Sequence, residues 1–239
     1  MSKAVFNWSG GKDSALALYH ALSDKNISIE YLLTSLSEQY RRVSMHGVKE
    51  ELLEEQAKQI GLPLRKIYLP ENADMKSYNS IMRNELFELK SKGITQSIFG
   101  DIFLEDLKRY REEKLAEVNM IGYFPLWQKN TKDLVREFID LGFKTIIVCV
   151  NGDVLDKSFA GRIIDKEFIK DLPKNVDPCG ENGEFHTFVF DGPIFKHPVF
   201  FTKGEVVERK YPRPKNSDDN CFNAKPPSNE ISFYFQELK

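Results

Sequence analysis

Residues 9–14, close to the amino terminus, have the side chains of an anion-binding loop. They are Ser9, Gly10, Gly11, Lys12, Asp13 and Ser14. The two glycines allow a tight turn that presents backbone N–H groups without obstruction, while the lysine adds a positive charge and the serines add hydroxyls. A helix that begins near the aspartate would contribute further N–H groups and the positive end of its dipole. The loop is predicted to hold phosphate, and a serine-capped turn without a ligand is the alternative.

The spacing excludes two common nucleotide-binding loops. The Walker pattern, GxxxxGK followed by Ser or Thr, needs a glycine where this chain has Phe6, and Lys12 is followed by Asp13. The dinucleotide pattern GxGxxG is also absent. The loop therefore belongs to a different class of phosphate site.

A second group of reactive side chains lies in a glycine-containing turn. Its members are Glu181, Asn182, Gly183, Glu184, His186 and Thr187. If the chain is extended from Phe185 onward, Glu184 and His186 point to the same side, where a carboxylate and an imidazole could transfer protons. In the alternative interpretation, Asn182 and Gly183 form a plain hairpin turn and His186 bonds only to backbone groups.

Two single residues complete the candidate site. Asp101 lies at the carboxyl end of a predicted strand, the edge at which open parallel sheets bind ligands and at which residues 9–14 also lie. A helix-start aspartate is the alternative. His46 lies near the end of another strand and precedes a helix, so its residue type alone favours a capping or surface role.

The elements that must position these groups alternate between strand and helix over the first 150 residues. Strands are predicted at residues 4–8, 29–35, 64–69, 96–102 and 144–150, with helices at 14–22, 48–60, 75–90, 104–119 and 131–141, the last opened by a Thr131 cap. Because parallel strands need crossover connections, this alternation predicts an α/β fold, a mostly parallel sheet with helices on both faces.

The alternation of strands and helices ends after residue 151. A short helix at residues 165–171 precedes alternating runs that predict a smaller antiparallel subdomain, and residues 231–235 are predicted to return as an edge strand. Residues 212–229 have the composition of a linker. Three parts are predicted: a nucleotide-binding domain at residues 1–152, a C-terminal subdomain at residues 153–211, and a linker with the terminal strand or tail at residues 212–239.

The composition of the chain limits the classes of function that it could have. The net charge of −2 gives no strong nucleic-acid signal, and no apolar run is long enough to span a membrane. Three cysteines at wide spacing form neither a disulfide framework nor a zinc pattern, so a reducing cytoplasm is expected. A homodimer is compatible with the sequence, which does not determine the assembly.

The loop SGGKDS resembles the SGGxDS loop of the ATP pyrophosphatases, the PP-loop superfamily, which cleave ATP between the α and β phosphates. Further segments resemble the diphthine–ammonia ligase (diphthamide synthase) family in the same order, at residues 45–64, 99–102, 125–127 and 179–195. The specific part is GENGEFHT within the last segment. The resemblance covers residues 3–195 and implies a HUP-like (adenine nucleotide alpha hydrolase-like) sheet with a smaller α+β subdomain.

The family's reaction is the ATP-dependent amidation of diphthine on translation elongation factor 2, which uses ammonium and releases AMP and pyrophosphate. The resemblance therefore implies ATP and Mg²⁺ as cofactors, with ammonium and a carboxylate as the other substrates. Residues 9–14 would clamp the phosphates, and Lys12 would stabilise charge during adenylation. Asp13 and Asp101 would help to place the metal.

The resemblance also implies roles for the second group. Glu184 would hold ammonium or accept its proton, and His186 would transfer protons. The remaining substrate-binding residues would be His46, Glu181, Asn182, Gly183 and Thr187.

Three other functions stay open at this point. The same adenylation could act on a different carboxylate in a bacterium, because diphthamide occurs only in archaea and eukaryotes. A PP-loop tRNA-modifying enzyme is disfavoured because the chain has no CxxC pair and no basic tract. A non-catalytic ATP- or AMP-binding regulator is opposed by the presence of Lys12, Asp101 and Glu184.

Overall fold

Five parallel strands form the first sheet, in the order β3-β2-β1-β4-β5. They are β1 (Ser2–Asn7), β2 (Ile27–Ser37), β3 (Leu64–Leu69), β4 (Gln96–Ile98) and β5 (Ile121–Tyr123). The computed structural model of the chain describes residues 1–43, 46–71, 73–212 and 229–239. Since the strand order reverses between β1 and β4, a crevice is expected beyond the carboxyl ends of these two strands.

Helices cover both faces of this sheet, as the sequence predicted. The α-helices of the described residues are α1 (Lys12–Ser23), α2 (Glu50–Ile60), α3 (Met75–Ser91), α4 (Glu105–Ala116), α5 (Thr131–Asp140) and α6 (Lys166–Asp171). Side chains alternate along β1, so Phe6 joins the buried cluster that contains Leu18 of α1 and Leu53 of α2. Val5 joins the opposite cluster with Leu86 of α3.

The second sheet is antiparallel, in the order β7-β6-β9-β8. Its strands are β6 (Lys144–Asn151), β7 (Phe185–Asp191), β8 (Lys203–Pro212) and β9 (Glu230–Leu238). The expectation that residues 144–150 continue the parallel sheet is wrong, because β6 pairs antiparallel with β7 and β9. A continuous apolar run indicates burial on both faces but does not reveal which strands will pair with it.

Two smaller expectations also need correction. The strand predicted at residues 231–235 is not an edge strand, since β9 lies between β6 and β8. Helix α5 is capped by the side chain of Asn130, which accepts hydrogen bonds from the N–H groups of Lys132 and Asp133, rather than by Thr131. Asparagine is an equally good cap one position earlier.

The predicted division at residue 152 separates β6 from the strands that it pairs with, and the three-part division stays a prediction. Residues 213–228, which make up most of the predicted linker and include Cys221, lie outside the described residues, as does Met45. None of the helices in the described part of the chain is both long and apolar enough to cross a bilayer.

Candidate functional site

A cavity of about 590 Å³ opens at the carboxyl ends of β1, β2 and β4, the position expected from the strand order. It brings together most of the predicted site residues: Ser9, Gly11, Lys12, Asp13, Ser14, His46, Asp101, Glu181, Gly183, His186 and Thr187. The cavity continues between α3 and α4, where Tyr78 and Tyr110 are part of its wall. The loop at residues 9–14 and the second group at residues 181–187 are far apart in sequence and therefore meet at one cavity only in the folded chain.

The geometry of the loop requires glycine at position 10 and leaves little space at Gly11. Gly10 has a φ angle of +78°, and a Cβ atom there would lie 2.7 Å from Cδ2 of Leu53 and 2.8 Å from Oε1 of Gln56. Gly11 caps helix α1, and a Cβ atom would lie 3.1 Å from Cε1 of His46. The loop is therefore packed too closely against α2 to accept a side chain at Gly10, and a side chain at Gly11 would require His46 or Thr187 to shift.

The outer edge of β7 holds the loop in place. Val189 donates its N–H to the carbonyl of Gly10 over 2.9 Å, and its own carbonyl accepts a 2.6 Å hydrogen bond from Nε2 of Gln56. Two residues earlier on the same strand, Oγ1 of Thr187 accepts a hydrogen bond from the N–H of Lys12 over 2.9 Å. An edge strand presents a row of unpaired backbone groups, and at Val189 the carbonyl of Gly10 and the side chain of Gln56 satisfy them.

Gln56 joins three parts of the site and was missed as a functional residue by the sequence analysis. Its side chain is completely buried. Nε2 also donates to the carbonyl of Gly10 over 3.0 Å, and Oε1 accepts the indole N–H of Trp8 over 2.9 Å. A signal was present in the sequence, because Gln56 is a polar residue on the apolar face of an amphipathic helix.

The ammonium of Lys12 is buried and paired. Its Nζ atom donates to Oδ1 of Asp13 over 2.5 Å and to the carbonyl of Cys179 over 2.7 Å, and only 2% of the side chain is exposed. Burial opposes the charge, but Asp13, Cys179 and Glu181 together raise the pKa of Lys12 above its ordinary value. Lys12 therefore carries a fixed positive charge at the cavity wall.

Cys179 has a structural role. Its thiol donates to the carbonyl of Thr131 over 3.4 Å, and burial raises its pKa to about 12. The thiol is therefore protonated and unreactive at neutral pH.

Three carboxyl groups, those of Asp13, Asp101 and Glu181, contribute to the cavity wall. Burial raises the pKa of Glu181 to about 7 in spite of the hydrogen bond that it accepts from the N–H of Ile102 over 2.9 Å, and the negative charge of Asp13 adds to the rise. Burial also raises the pKa of Asp101, against the opposing effect of Arg111. Glu181 can therefore exchange a proton near neutral pH.

The described residues contain no group of three or more His, Cys, Asp or Glu side chains placed to hold a metal ion by themselves. Asp13 and Asp101 are nevertheless neighbours at the cavity, close enough for the charge of Asp13 to raise the pKa of Asp101. One or two carboxylates are the usual protein contribution to Mg²⁺ when phosphates supply the other oxygens.

His46 and His186 stack against each other, with ring centroids 4.6 Å apart and an interplanar angle of 31°. Nδ1 of His46 lies 3.3 Å from the carbonyl oxygen of Thr187. Burial lowers the pKa of His46 to about 4, and burial together with His46 and Lys12 lowers the pKa of His186 to about 3. Both imidazoles are therefore neutral at physiological pH and act through hydrogen bonds rather than charge.

Glu184 does not share the cavity with His186, contrary to the orientation expected from the sequence. Its buried carboxylate accepts hydrogen bonds from the N–H of Asp177 over 3.0 Å, the N–H of Asn182 over 2.9 Å and Nδ2 of Asn182 over 3.1 Å. The reason is that β7 begins only at Phe185, so Glu184 still belongs to the preceding turn. Its carboxylate orders the turn from which Glu181 reaches the cavity.

The chain matches two domain models of one protein family. The model of the diphthamide synthase N-terminal domain matches residues 1–120, and that of the diphthamide synthase C-terminal domain matches residues 130–211. The human diphthine–ammonia ligase is 33% identical over 133 residues, which cover 52% of this chain and 50% of the relative. That of Schizosaccharomyces pombe is 25% identical over 223 residues, covering 84% and 36% respectively.

The matched region thus spans about half the length of the mammalian relatives, or less for the yeast one. Among solved structures, a U34-tRNA thiolase from Methanococcus maripaludis aligns over 59% of this chain and 57% of its own, with a TM-score of 0.37 and 14% identity. A likeness of that degree carries no argument about function.

Proposed function

Because the chain belongs to the diphthamide synthase family, we propose that it is an AMP-forming, ATP-dependent amide ligase that joins ammonia to a carboxylate. The observation that carries the proposal is the placement of the glycine loop, with the buried charge of Lys12, in the same cavity as Glu181. An anion clamp and a proton-exchanging carboxyl group are the two parts that such a reaction requires. The curated relatives carry the name diphthine–ammonia ligase.

The chemistry explains why both parts are needed. A carboxylate is a poor acceptor for ammonia, because the group that leaves would be oxide. Attack of a carboxylate oxygen on the α-phosphate of ATP forms an acyl adenylate and breaks the bond to pyrophosphate. The positive end of α1 and the charge of Lys12 would stabilise the negative charge on the departing pyrophosphate.

Ammonia then attacks the acyl carbon, the amide forms, and AMP leaves. Ammonium must first lose a proton, and Glu181 is the group at the cavity whose pKa of about 7 suits that transfer. The neutral rings of His46 and His186 can accept hydrogen bonds there without repelling ammonium. We assign to Glu181 the role that the sequence suggested for Glu184, whose carboxylate is taken up by the turn.

The residues present fit Mg²⁺. Oδ2 of Asp101 is buried without a hydrogen-bond partner among the described residues, and Asp13 lies close to it. These two carboxylates would hold the ion together with the phosphates of ATP. When bound, Mg²⁺ would supply charge neutralisation on the triphosphate.

For the carboxylate itself we propose diphthine on translation elongation factor 2, after the printed name of the relatives. The cytoplasm is the corresponding compartment. A different carboxylate with the same adenylation chemistry is the second candidate, because the chain spans only part of those relatives.

The test uses the full chain with ATP, Mg²⁺, ammonium and elongation factor 2 that carries diphthine. We expect AMP and pyrophosphate in equal amounts and amidated diphthine by mass spectrometry. The variant Lys12→Ala should abolish AMP formation, whereas Lys25→Ala, an exposed lysine beyond the end of α1, should leave it unchanged. The variant Glu181→Gln should retain nucleotide binding and slow amide formation.

Formation of ADP in place of AMP would refute adenylation. AMP formation with another carboxylate, and none with elongation factor 2, would retain the reaction class and replace the substrate.

A further inference from the structure

We propose that Arg111 of α4 is the anchor for the substrate carboxylate, in the part of the cavity that lies between α3 and α4. The identity of that anion as the substrate to be adenylated rests on the proposed function. The anion site itself rests on the geometry of Arg111, Asp101 and Phe99.

Arg111 is a cation whose Nε–H has no hydrogen-bond partner among the described residues. Its Nε atom lies 3.1 Å from Oδ2 of Asp101, yet the N–H is not directed at that oxygen. Both atoms are buried, and neither has a hydrogen-bond partner within the described ranges. The great majority of buried polar atoms in proteins are paired, so the unpaired Nε–H of Arg111 indicates an acceptor that arrives with a ligand, while the unpaired oxygen of Asp101 suits the cation proposed above.

The guanidinium is held rigidly in position. Its central carbon lies 4.4 Å above the ring of Phe99, which in turn stacks on Phe124 with centroids 5.3 Å apart. A guanidinium that packs over an aromatic ring can still offer N–H groups to an anion. Phe99 and Arg111 both contribute to the cavity wall.

Two carboxylates lie between two cations along this wall. Lys12 pairs with Asp13, the charge of Asp13 acts on Asp101, and Asp101 lies beside Arg111. The phosphates belong at the Lys12 end, where the loop and the start of α1 provide N–H donors. Arg111 marks the other end, so an anion bound there would approach the nucleotide from the side of α3 and α4.

The geometry favours a carboxylate over a second phosphate at Arg111. A planar guanidinium matches the two oxygens of a carboxylate with two parallel hydrogen bonds. Asp101, directly beside it, would repel a multiply charged phosphate more strongly than a singly charged carboxylate. Lys114, the next cation along α4 at the cavity, is already paired with Glu117 over 2.6 Å.

The test needs no knowledge of the natural substrate. Trifluoroacetate, a small carboxylate visible by ¹⁹F NMR, is titrated into the full chain with the loop saturated by α,β-methylene-ATP. We expect binding to persist in the presence of the nucleotide analogue and to weaken about tenfold in Arg111→Gln. The control is Arg109→Gln, on the same helix, where the arginine is exposed and pairs with Asp106; its affinity should equal that of the unmodified chain.

The variant Arg111→Lys keeps the charge but loses the two parallel donors, and we expect it to bind trifluoroacetate about threefold more weakly. Unchanged affinity in both Arg111 variants would overturn the proposal. Displacement of trifluoroacetate by the nucleotide analogue would overturn it as well, because the probe would then occupy the phosphate loop.

Turnover separates this proposal from the proposed function. With an active carboxylate substrate, Arg111→Gln should raise the KM for that substrate and leave the KM for ATP unchanged. If the unmodified chain forms no AMP with elongation factor 2 but the ¹⁹F result holds, the anion site stands and the substrate assignment fails. If AMP forms but Arg111→Gln binds the probe normally, the anion site fails alone.

Discussion

Replacing Gln56 by methionine should loosen the phosphate loop without placing any change inside the cavity. The side chain of Gln56 is fully buried in α2 and links Trp8, Gly10 and Val189 by hydrogen bonds. Methionine has a similar length and shape, so the substitution removes these bonds while leaving no large void.

The size of the effect follows from what loses its partner. The carbonyl of Gly10 keeps the N–H of Val189 over 2.9 Å. The indole N–H of Trp8 and the carbonyl of Val189, which points away from the other strands of its sheet, are left unpaired. Two unsatisfied buried groups cost about 4 kcal/mol at the middle of the usual range, and the easier burial of a thioether offsets about 1–2 kcal/mol, so we expect a loss of about 2–3 kcal/mol in the free energy of unfolding.

Urea denaturation at 25 °C measures this loss, and an ATP-binding titration measures the effect on the loop. The matched control is Gln59→Met, three residues further along α2. Its amide donates a hydrogen bond to Glu55, and the substitution should change stability by less than about 0.5 kcal/mol. We expect Gln56→Met to weaken ATP binding as well, since the loop is no longer tied to α2. Equal stabilities for the two variants would refute the assignment of Gln56 as the residue that fastens the loop.

Two further predictions concern the loop and the histidines. Gly10→Ala should lower the free energy of unfolding by about 2–4 kcal/mol, because the residue has a positive φ and no space for a Cβ atom, whereas Gly142→Ala, with a positive φ and open space, should lose only about 1 kcal/mol in the same urea assay. The pKa of His186 is lowered from 6.5 to about 3. Between these two pH values the unfolded chain therefore binds a proton that the folded chain does not bind. The contribution of this neutral ring to stability is complete above pH 6.5 and is lost as the pH falls toward 3. The variant His186→Asn should therefore lose less stability than the unmodified chain between pH 6.5 and pH 4. An unchanged slope would contradict a buried neutral ring beside His46 and Lys12.

Local sequence determined the phosphate loop and the alternation that builds the first sheet. Two adjacent glycines followed by a lysine at the start of a helix restrict the backbone within a few residues, so residues 9–14 could be interpreted without knowing their surroundings. The same holds for helices α2 and α3, whose apolar spacing and end signals lie within their own segments. The position of Asp101 at the ligand-binding edge followed from the order of strand and helix.

Tertiary structure alone decided how distant groups pair. Strand β6 is apolar on both faces in either sheet, and only its backbone partners place it beside β7 and β9. Glu184 and Glu181 are the same residue type three positions apart; one is consumed by the turn and the other reaches the cavity, because β7 begins between Glu184 and Phe185. Gln56 and Arg111 gained their significance from contacts with the loop and with Asp101, which lie far away in sequence. Hydrogen-bond partners and desolvation are properties of a folded arrangement, so no pattern of residue types could have specified them.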